Sequence, residues 1–186
     1  MRKNPQQTQI TRQNIIDAYC ILSKSEKKSQ ITVKSLSEKA GYNRSTFYDY
    51  FNDVYDVQEQ IQDFVIDHIQ HNLKDNFRTG KLENSFIKSF DDLHAHFPNY
   101  YDVIFTGTTD VIFTNRLKNT IKIEIKNKYQ LTNLSIEEDY AIDFFVSGAI
   151  AIICSWINHN RNISASQLGK LIRSLVESGI GEYLPK

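Results

Sequence analysis

An all-α fold of about nine helices is what this sequence predicts, and three observations carry the prediction. Residues that break helices are few: seven glycines and three prolines in 186 residues, so long uninterrupted helices are the natural reading. Apolar side chains recur at intervals of three and four, the spacing of one helix face. Paired capping signals punctuate the chain where those stripes begin. Alternation with period two, the mark of a strand, is sustained only in IKIEIK at 121–126. Its flanks are helical, so it is read as helix.

The elements follow in order. Ile15, Ala18, Tyr19 and Leu22 form one stripe and predict a helix over about residues 10–24. After the polar segment SKSEKKSQ, Thr32 caps a short helix that buries Val33, Leu36 and Ala40 and ends at Gly41, where a left-handed residue costs little. Asn43 caps a second short helix carrying Phe47, Tyr48 and Phe51. Asp53, with Asp56 three residues on, opens a long helix with Val57, Ile61, Phe64, Val65, Ile69 and Leu73 inward; the following connection ends at Gly80. Phe86, Phe90, Leu93 and Phe97 mark the next helix, closed by Pro98. The aromatic segment YYDVIFTG stops at Gly107, and Val111, Leu117, Ile121 and Ile125 mark a further helix. Two capping boxes, Ser135 with Glu138 and Ser164 with Gln167, open the last two. The first spans Tyr140 to Asn160, and the second carries Leu168, Leu171, Ile172, Leu175 and Val176.

The chain is neutral overall, with 22 basic and 22 acidic residues, but its charge is unevenly placed. Nine Lys/Arg against four Asp/Glu up to Phe51 leave that end at net +5 and the remainder at −5. Such polarity is the electrostatic footprint of a polyanion-binding end. Cys20 and Cys154 fit no metal spacing and read as buried, reduced thiols of a cytoplasmic protein. The first residues, MRKNPQQTQIT, lack the apolar core of a secretion signal. The most apolar run, Phe144–Ile157, falls short of the roughly 20 residues of a spanning helix and reads as a buried helix, with no membrane role.

Two short helices meeting at a glycine turn have a specific physical use. A helix fits the major groove of DNA while the one before it braces across the backbone. Leu36, Ala40 and Phe47 lock the pair; Arg44, Ser45 and Thr46 supply hydrogen-bonding groups at the start of the second helix, and Tyr48 and Tyr50 reach phosphates or bases beyond them. Residues 32–51, TVKSLSEKAGYNRSTFYDYF, resemble the helix-turn-helix of the TetR family of transcriptional regulators. Thr32, Val33, Leu36, Ala40, Gly41, Tyr42, Asn43, Thr46, Phe47, Tyr48, Tyr50 and Phe51 match, and Ser37 stands where the family usually has alanine. The upstream NIIDAYCILS is similar to the family's first helix.

The resemblance implies that Thr32 and Asn43 cap helices beside phosphates, that Arg44, Ser45 and Thr46 face base edges, and that Tyr48 meets the backbone or a thymine methyl. The candidate DNA-binding set is thus Thr32, Lys34, Asn43, Arg44, Ser45, Thr46, Tyr48 and Tyr50. Val54 replaces the lysine that the family usually offers a phosphate, which weakens non-specific binding unless Arg2, Lys3 or Arg12 compensates; the N-terminal arm reads first as a disordered tail, with a place in the adjacent minor groove as the competing reading. The implied organisation is a DNA-binding domain over 1–52 and a helical effector-binding and dimerisation domain over 53–186.

Within the second domain, Ser147, Ala151 and Ser155 form a strip of small residues with Gly148 beside it. With Leu168, Leu171, Ile172 and Leu175 they predict a two-fold, four-helix homodimer junction. The aromatics Phe86, Phe90, Phe97, Tyr101, Phe105, Phe113, Phe144 and Trp156, with His94 among them, are the candidate lining of a pocket for a small-molecule effector that the sequence does not identify; a plain aromatic core is the competing reading. His68 and His71 lie three apart near Asp67 and Asp75, and His94 and His96 two apart, but neither spacing is a metal motif. No phosphate-cradling glycine loop, nucleophile elbow or cysteine–histidine signature is present. The sequence therefore nominates no catalytic residue, metal or cofactor. The function expected is that of a ligand-responsive regulator, most often a repressor, binding a pseudo-palindromic operator. Its rivals are a helical carrier or enzyme whose basic end is incidental, and an adaptor that keeps the fold without reading DNA.

Overall fold

The computed structural model of the chain describes residues 5–79, 82–106 and 110–179. Among these it holds nine α-helices, a single 3-10 turn at Lys28–Gln30 and no strand. The helices are α1 (Pro5–Ser25), α2 (Val33–Ala40), α3 (Arg44–Tyr48), α4 (Val54–Thr79), α5 (Leu82–His96), α6 (Pro98–Phe105), α7 (Val111–Tyr129), α8 (Ile136–Asn158) and α9 (Ala165–Gly179). The segment 121–126 lies within α7 and is helical. Arg2 and Lys3 of the N-terminal arm, and the glycines at 80 and 107, fall outside the described residues.

The described residues up to Val65, together with Pro98–Thr106, form one compact unit; Ile66–Phe97 and the described residues after Thr106 form a second. Helix α4 contributes residues to both.

In the first unit α1 begins at Pro5, about a turn earlier than the apolar stripe announces, with proline in the first turn where its missing N–H is harmless. Ile15, Ile16, Ala18, Tyr19 and Cys20 are its buried face, and α2 and α6 pack on α1. Three side chains tie α6 to α1 and the turn after it. Lys24 donates to Asn99 Oδ1 at 2.9 Å and pairs with Asp102 at 3.0 Å; Lys28 Nζ donates to the Val103 carbonyl at 2.8 Å; Gln13 Nε2 donates to Tyr100 Oη at 2.8 Å.

At the start of α4, Asp53 Oδ1 accepts the Asp56 N–H at 2.8 Å. The reciprocal half of the expected box is displaced by one residue: Asp56 Oδ2 accepts from the Asn52 N–H at 2.8 Å. An aspartate is one methylene shorter than the glutamate of the usual arrangement, and here it is the preceding residue that it bonds.

The second unit is built from α5, α7, α8, α9 and the end of α4. Ile69, Leu73, Phe86, Phe90, Leu93, Phe113, Leu117, Ile121, Ile125, Val146 and Ile153 are its interior. Phe86 meets Phe145 edge-on at 5.6 Å. Gly169 brings α9 against α5: a Cβ there would stand 2.9 Å from Asn84 Oδ1. Both late capping boxes are present. Ser135 Oγ accepts the Glu138 N–H while Glu138 accepts from Ser135 N at 2.7 Å, and Ser164 and Gln167 repeat the exchange at 3.2 and 2.9 Å. A charged cluster joins α7 to α8, Lys122 reaching Asp139 (2.6 Å) and Asp143 (2.8 Å) and Lys126 reaching Asp139 (2.9 Å).

Helix α8 is long and apolar enough to cross a membrane by length and composition. In the fold it is a packed helix with one apolar face against α5 and α7.

Candidate functional site

The helix-turn-helix is assembled from short-range interactions. Thr32 has extended backbone and its hydroxyl accepts the Ser35 N–H at 3.1 Å, while Ser35 Oγ accepts from the Thr32 N–H at 3.0 Å; the serine completes a box more often closed by Glu or Gln. Gly41 takes φ 76°, a left-handed value that ends α2 and turns the chain. Asn43 then caps α3, its Oδ1 accepting the Thr46 N–H at 2.8 Å and the Ser45 hydroxyl at 2.7 Å.

Helix α3 is five residues long, too short to hold itself by propensity, and is anchored from within. Phe47 is fully buried and meets Phe51 at 5.7 Å. Leu36 of α2 is buried with it, and each such side chain contributes about 1.5–3 kcal/mol relative to exposure. Arg44 and Ser45 stand exposed beyond this anchor, and Tyr48, on the edge of the Phe47 ring at 5.5 Å, is 60% exposed. Thr32, Lys34 and Asn43 are exposed as well, and Thr46 and Tyr50 half-buried. Lys34 makes a long pair with Glu38 at 4.0 Å. The set nominated from sequence is thereby gathered on one turn and two short helices.

Two neighbouring positions depart from the family pattern with physical effect. Ser37 is buried and its hydroxyl has no hydrogen-bond partner. Val54, at the first position of α4, is half-buried and offers no charge. Arg12 is engaged within the unit, bonding Gln60 Oε1 and lying 5.9 Å from the Phe51 ring centroid.

The aromatics nominated as an effector pocket are distributed more widely. Phe86, Phe90 and Phe113 are closed interior of the second unit, and Phe97 packs on His68 at 5.1 Å. His94 Nδ1 lies 2.9 Å from Arg161 Nη2, whose Nε donates to Asp91 at 2.6 Å. Tyr101 and Phe105 belong to the first unit, stacked on one another at 5.0 Å. Phe144 is 75% exposed and so lines no interior pocket of this chain, because it occupies the solvent-facing side of α8. Trp156 is buried, donates Nε1–H to the Ile163 carbonyl at 2.8 Å, and forms one wall of a surface cavity of 430 Å³ between α8 and the start of α9.

Of the nominated dimer residues, Ala151 and Ser155 are exposed and Ser147 half-buried. Leu171 and Leu175 keep about half their surface open, whereas Leu168 and Ile172 are turned into the unit. The exposed face extends further than the small strip: Tyr140 and Phe144 continue it toward the N-terminus of α8 at the same interval. That spacing was present in the sequence, but both rings read equally well as core. Among the described residues, no three or more His, Cys, Asp or Glu converge on a metal site. The His68 ring instead bonds Asp92 at 2.9 Å.

The C-terminal helices, over residues 80–178, match the family model of a TetR-type transcriptional regulator C-terminal region. No curated protein matches the sequence significantly. Solved structures share the fold across nearly the whole chain. A TetR transcriptional regulator from Streptococcus agalactiae is 20% identical, with 92% of this chain and 96% of that one covered at a TM-score of 0.69. SmeT, the repressor of the Stenotrophomonas maltophilia multidrug efflux pump SmeDEF, is 16% identical over 96% and 93% at 0.68. The regulator FadR from Bacillus subtilis, solved with stearoyl-CoA, is 14% identical over 90% and 98% at 0.61. The family match covers more than half of the chain; this protein belongs to the TetR family of transcriptional regulators.

Proposed function

We propose that the chain is a ligand-responsive repressor that binds a pseudo-palindromic operator as a homodimer, one α3 helix lying in the major groove of each half-site. The observation that carries this reading is the construction of α3: Phe47 and the Asn43 cap hold it rigidly while Arg44, Ser45 and Tyr48 remain open on its outer side. Arg44, Ser45 and Thr46 read base edges, Tyr48 meets the backbone or a thymine methyl, and Thr32, Lys34, Asn43 and Tyr50 position the helix on the backbone. Residues 1–52 act as the reading domain and 53–186 as the dimerisation and effector body.

Ligand response is supported by family membership and by relatives solved with small molecules, SmeT with triclosan and FadR with stearoyl-CoA. Effector and operator affinity change reciprocally in such a regulator. The reading places the protein in the cytoplasm and assigns it no catalytic step. It is tested by gel shift on the DNA upstream of its own gene. Arg44→Ala should weaken specific binding by about 1–3 kcal/mol while leaving a weak, salt-dependent background. Binding that is indifferent to Arg44 would refute the assignment of α3.

A further inference from the structure

The last turns of α5, DDLHAH, carry two acids and two histidines, and helical geometry sorts them onto opposite sides. Asp92 and His96, four apart, share one side. Asp92 bonds the His68 ring of α4 at 2.9 Å and lies 3.2 Å from His96 Nδ1. Asp91 and His94, three apart, share the other, against the turn that joins α8 to α9. There Arg161 donates Nε–H to Asp91 Oδ1 at 2.6 Å, and its Nη2 lies 2.9 Å from His94 Nδ1.

The turn is held against its own backbone preference. Asn160 and Arg161 take φ of 54° and 53°, two successive left-handed residues of which neither is glycine. Their N–H groups donate to the carbonyls of Ile157 (3.0 Å) and Trp156 (2.9 Å) and so close the end of α8. Helix ends of this kind favour glycine, because a Cβ crowds the backbone in the left-handed region. Arginine bears that strain here because three contacts fix its side chain. They are Asp91, His94 and the Trp156 ring, whose centroid lies 5.8 Å from the guanidinium carbon. One of the three depends on a proton. A guanidinium only donates, so His94 must offer Nδ1 as a lone pair and its ring must be neutral.

We propose that His94 makes the α8–α9 turn acid-sensitive: the neutral ring latches Arg161 to α5, and a proton on Nδ1 expels it. Protonation replaces an accepted hydrogen bond by two cations in contact. Asp91, on the same side of α5 one turn back, is then shared between them, which weakens the remaining bond to Arg161. The closed turn thus excludes a proton that the open turn binds. By linkage it is favoured at high pH and loses this contribution as pH falls through the range, about 5–8, in which histidines change charge. Arg161 and Asp91 are 34% and 40% exposed, so solvent reaches the cluster. The turn's other titrating group, His159, donates Nδ1–H to the Ser155 carbonyl at 2.7 Å, a bond that protonation keeps. Across α5 the sign is opposite, because a proton on His68 adds attraction to Asp92. Acid therefore tightens α5 on α4 while it frees α5 from the turn. Since the turn joins α8 to α9, its release lowers operator affinity through the dimer junction; this consequence rests on the homodimer reading above, and the latch itself does not.

The test uses the full chain and its single tryptophan, which the Arg161 guanidinium touches. Between pH 8 and about pH 5.5 the wild-type emission should change in step with the His94 imidazole resonances followed by NMR. His94→Asn sets a carboxamide oxygen where Nδ1 stood and cannot titrate; it should keep the pH 8 spectrum and melting temperature and abolish the change. Arg161→Met should show the acid spectrum already at pH 8. Operator affinity of the wild type should fall by roughly threefold or more over the same interval, and that fall should be absent in His94→Asn. A tryptophan signal indifferent to pH, or a pH response that survives His94→Asn, would overturn the latch. A protein that shows the His94-dependent response yet sediments only as monomer would sink the homodimer reading and leave the latch standing.

Discussion

Asn43 carries two separable duties, and exchanging it for alanine or aspartate should separate them. Its Oδ1 accepts the Thr46 N–H and the Ser45 hydroxyl, at 2.8 and 2.7 Å, at the head of a five-residue helix. Asn43→Ala removes both acceptors at once. Loss of an N-cap costs about 0.5–2 kcal/mol, and so short a helix has few other bonds of its own to absorb the loss. For a chain of this size a change of 1 kcal/mol moves Tm by about 2–4 °C, so the alanine variant should melt several degrees lower and bind DNA poorly. Asn43→Asp keeps the acceptor and adds a negative charge at a helix N-terminus, which the helix dipole favours. Its Tm should equal or exceed that of the wild type. The same charge faces the phosphate that the proposed pose sets beside residue 43. At about 6 Å this repulsion is of order 1–3 kcal/mol for an effective dielectric near 20, a loss of roughly tenfold or more in operator affinity. Differential scanning calorimetry and a fluorescence anisotropy titration on one preparation supply the two readings. An aspartate variant as stable as wild type that binds operator equally well would refute the placement of Asn43 against the backbone. An alanine variant with unchanged Tm would refute the capping argument itself.

Ser37→Ala should stabilise the protein by about 1 kcal/mol, because it removes a buried hydroxyl with no partner and leaves the packing intact; urea titration with an unchanged m-value is the check. Bonds from Lys122 and Lys126 hold the Asp139 carboxyl below its ordinary 3.8. Its contribution to stability is therefore complete above about pH 4 and is lost as pH falls toward the lowered folded value. Asp139→Asn should flatten that acid limb of the stability curve and leave its slope near neutrality unchanged. Burial, then the neighbouring Asp17, pushes the Cys20 thiol up to about 12. Iodoacetamide at pH 8 should alkylate the half-buried Cys154 first and reach Cys20 only at the rate of unfolding, as read by mass spectrometry of tryptic peptides.

The readings that survived contact with the structure were those resting on interactions within a few residues. Thr32, Gly41 and Asn43 announce their caps and turn because the partners sit three or four positions away. The two late capping boxes, Ser135–Glu138 and Ser164–Gln167, did so for the same reason. Phe144 was misplaced by an argument of another kind. Its identity suits a core or a pocket equally, and the period of α8 is nearly all-apolar, with buried and exposed faces that composition does not tell apart. Tyr101 and Phe105 follow the same logic: adjacency to Phe97 in sequence groups them with the body, while the packing of α6 on α1 places them in the first unit.

Alone, the sequence determined the helical class, those helix starts that a cap announces and the glycine turn of the reading pair, together with the family resemblance carried by residues 32–51. All of these are functions of neighbours along the chain. Tertiary structure decided which side of each helix faces outward, that the aromatic body is largely closed core, and that His94 of α5 meets Arg161 of the turn after α8. Burial is settled by what other elements cover, and those elements lie tens of residues away, beyond the reach of any local pattern.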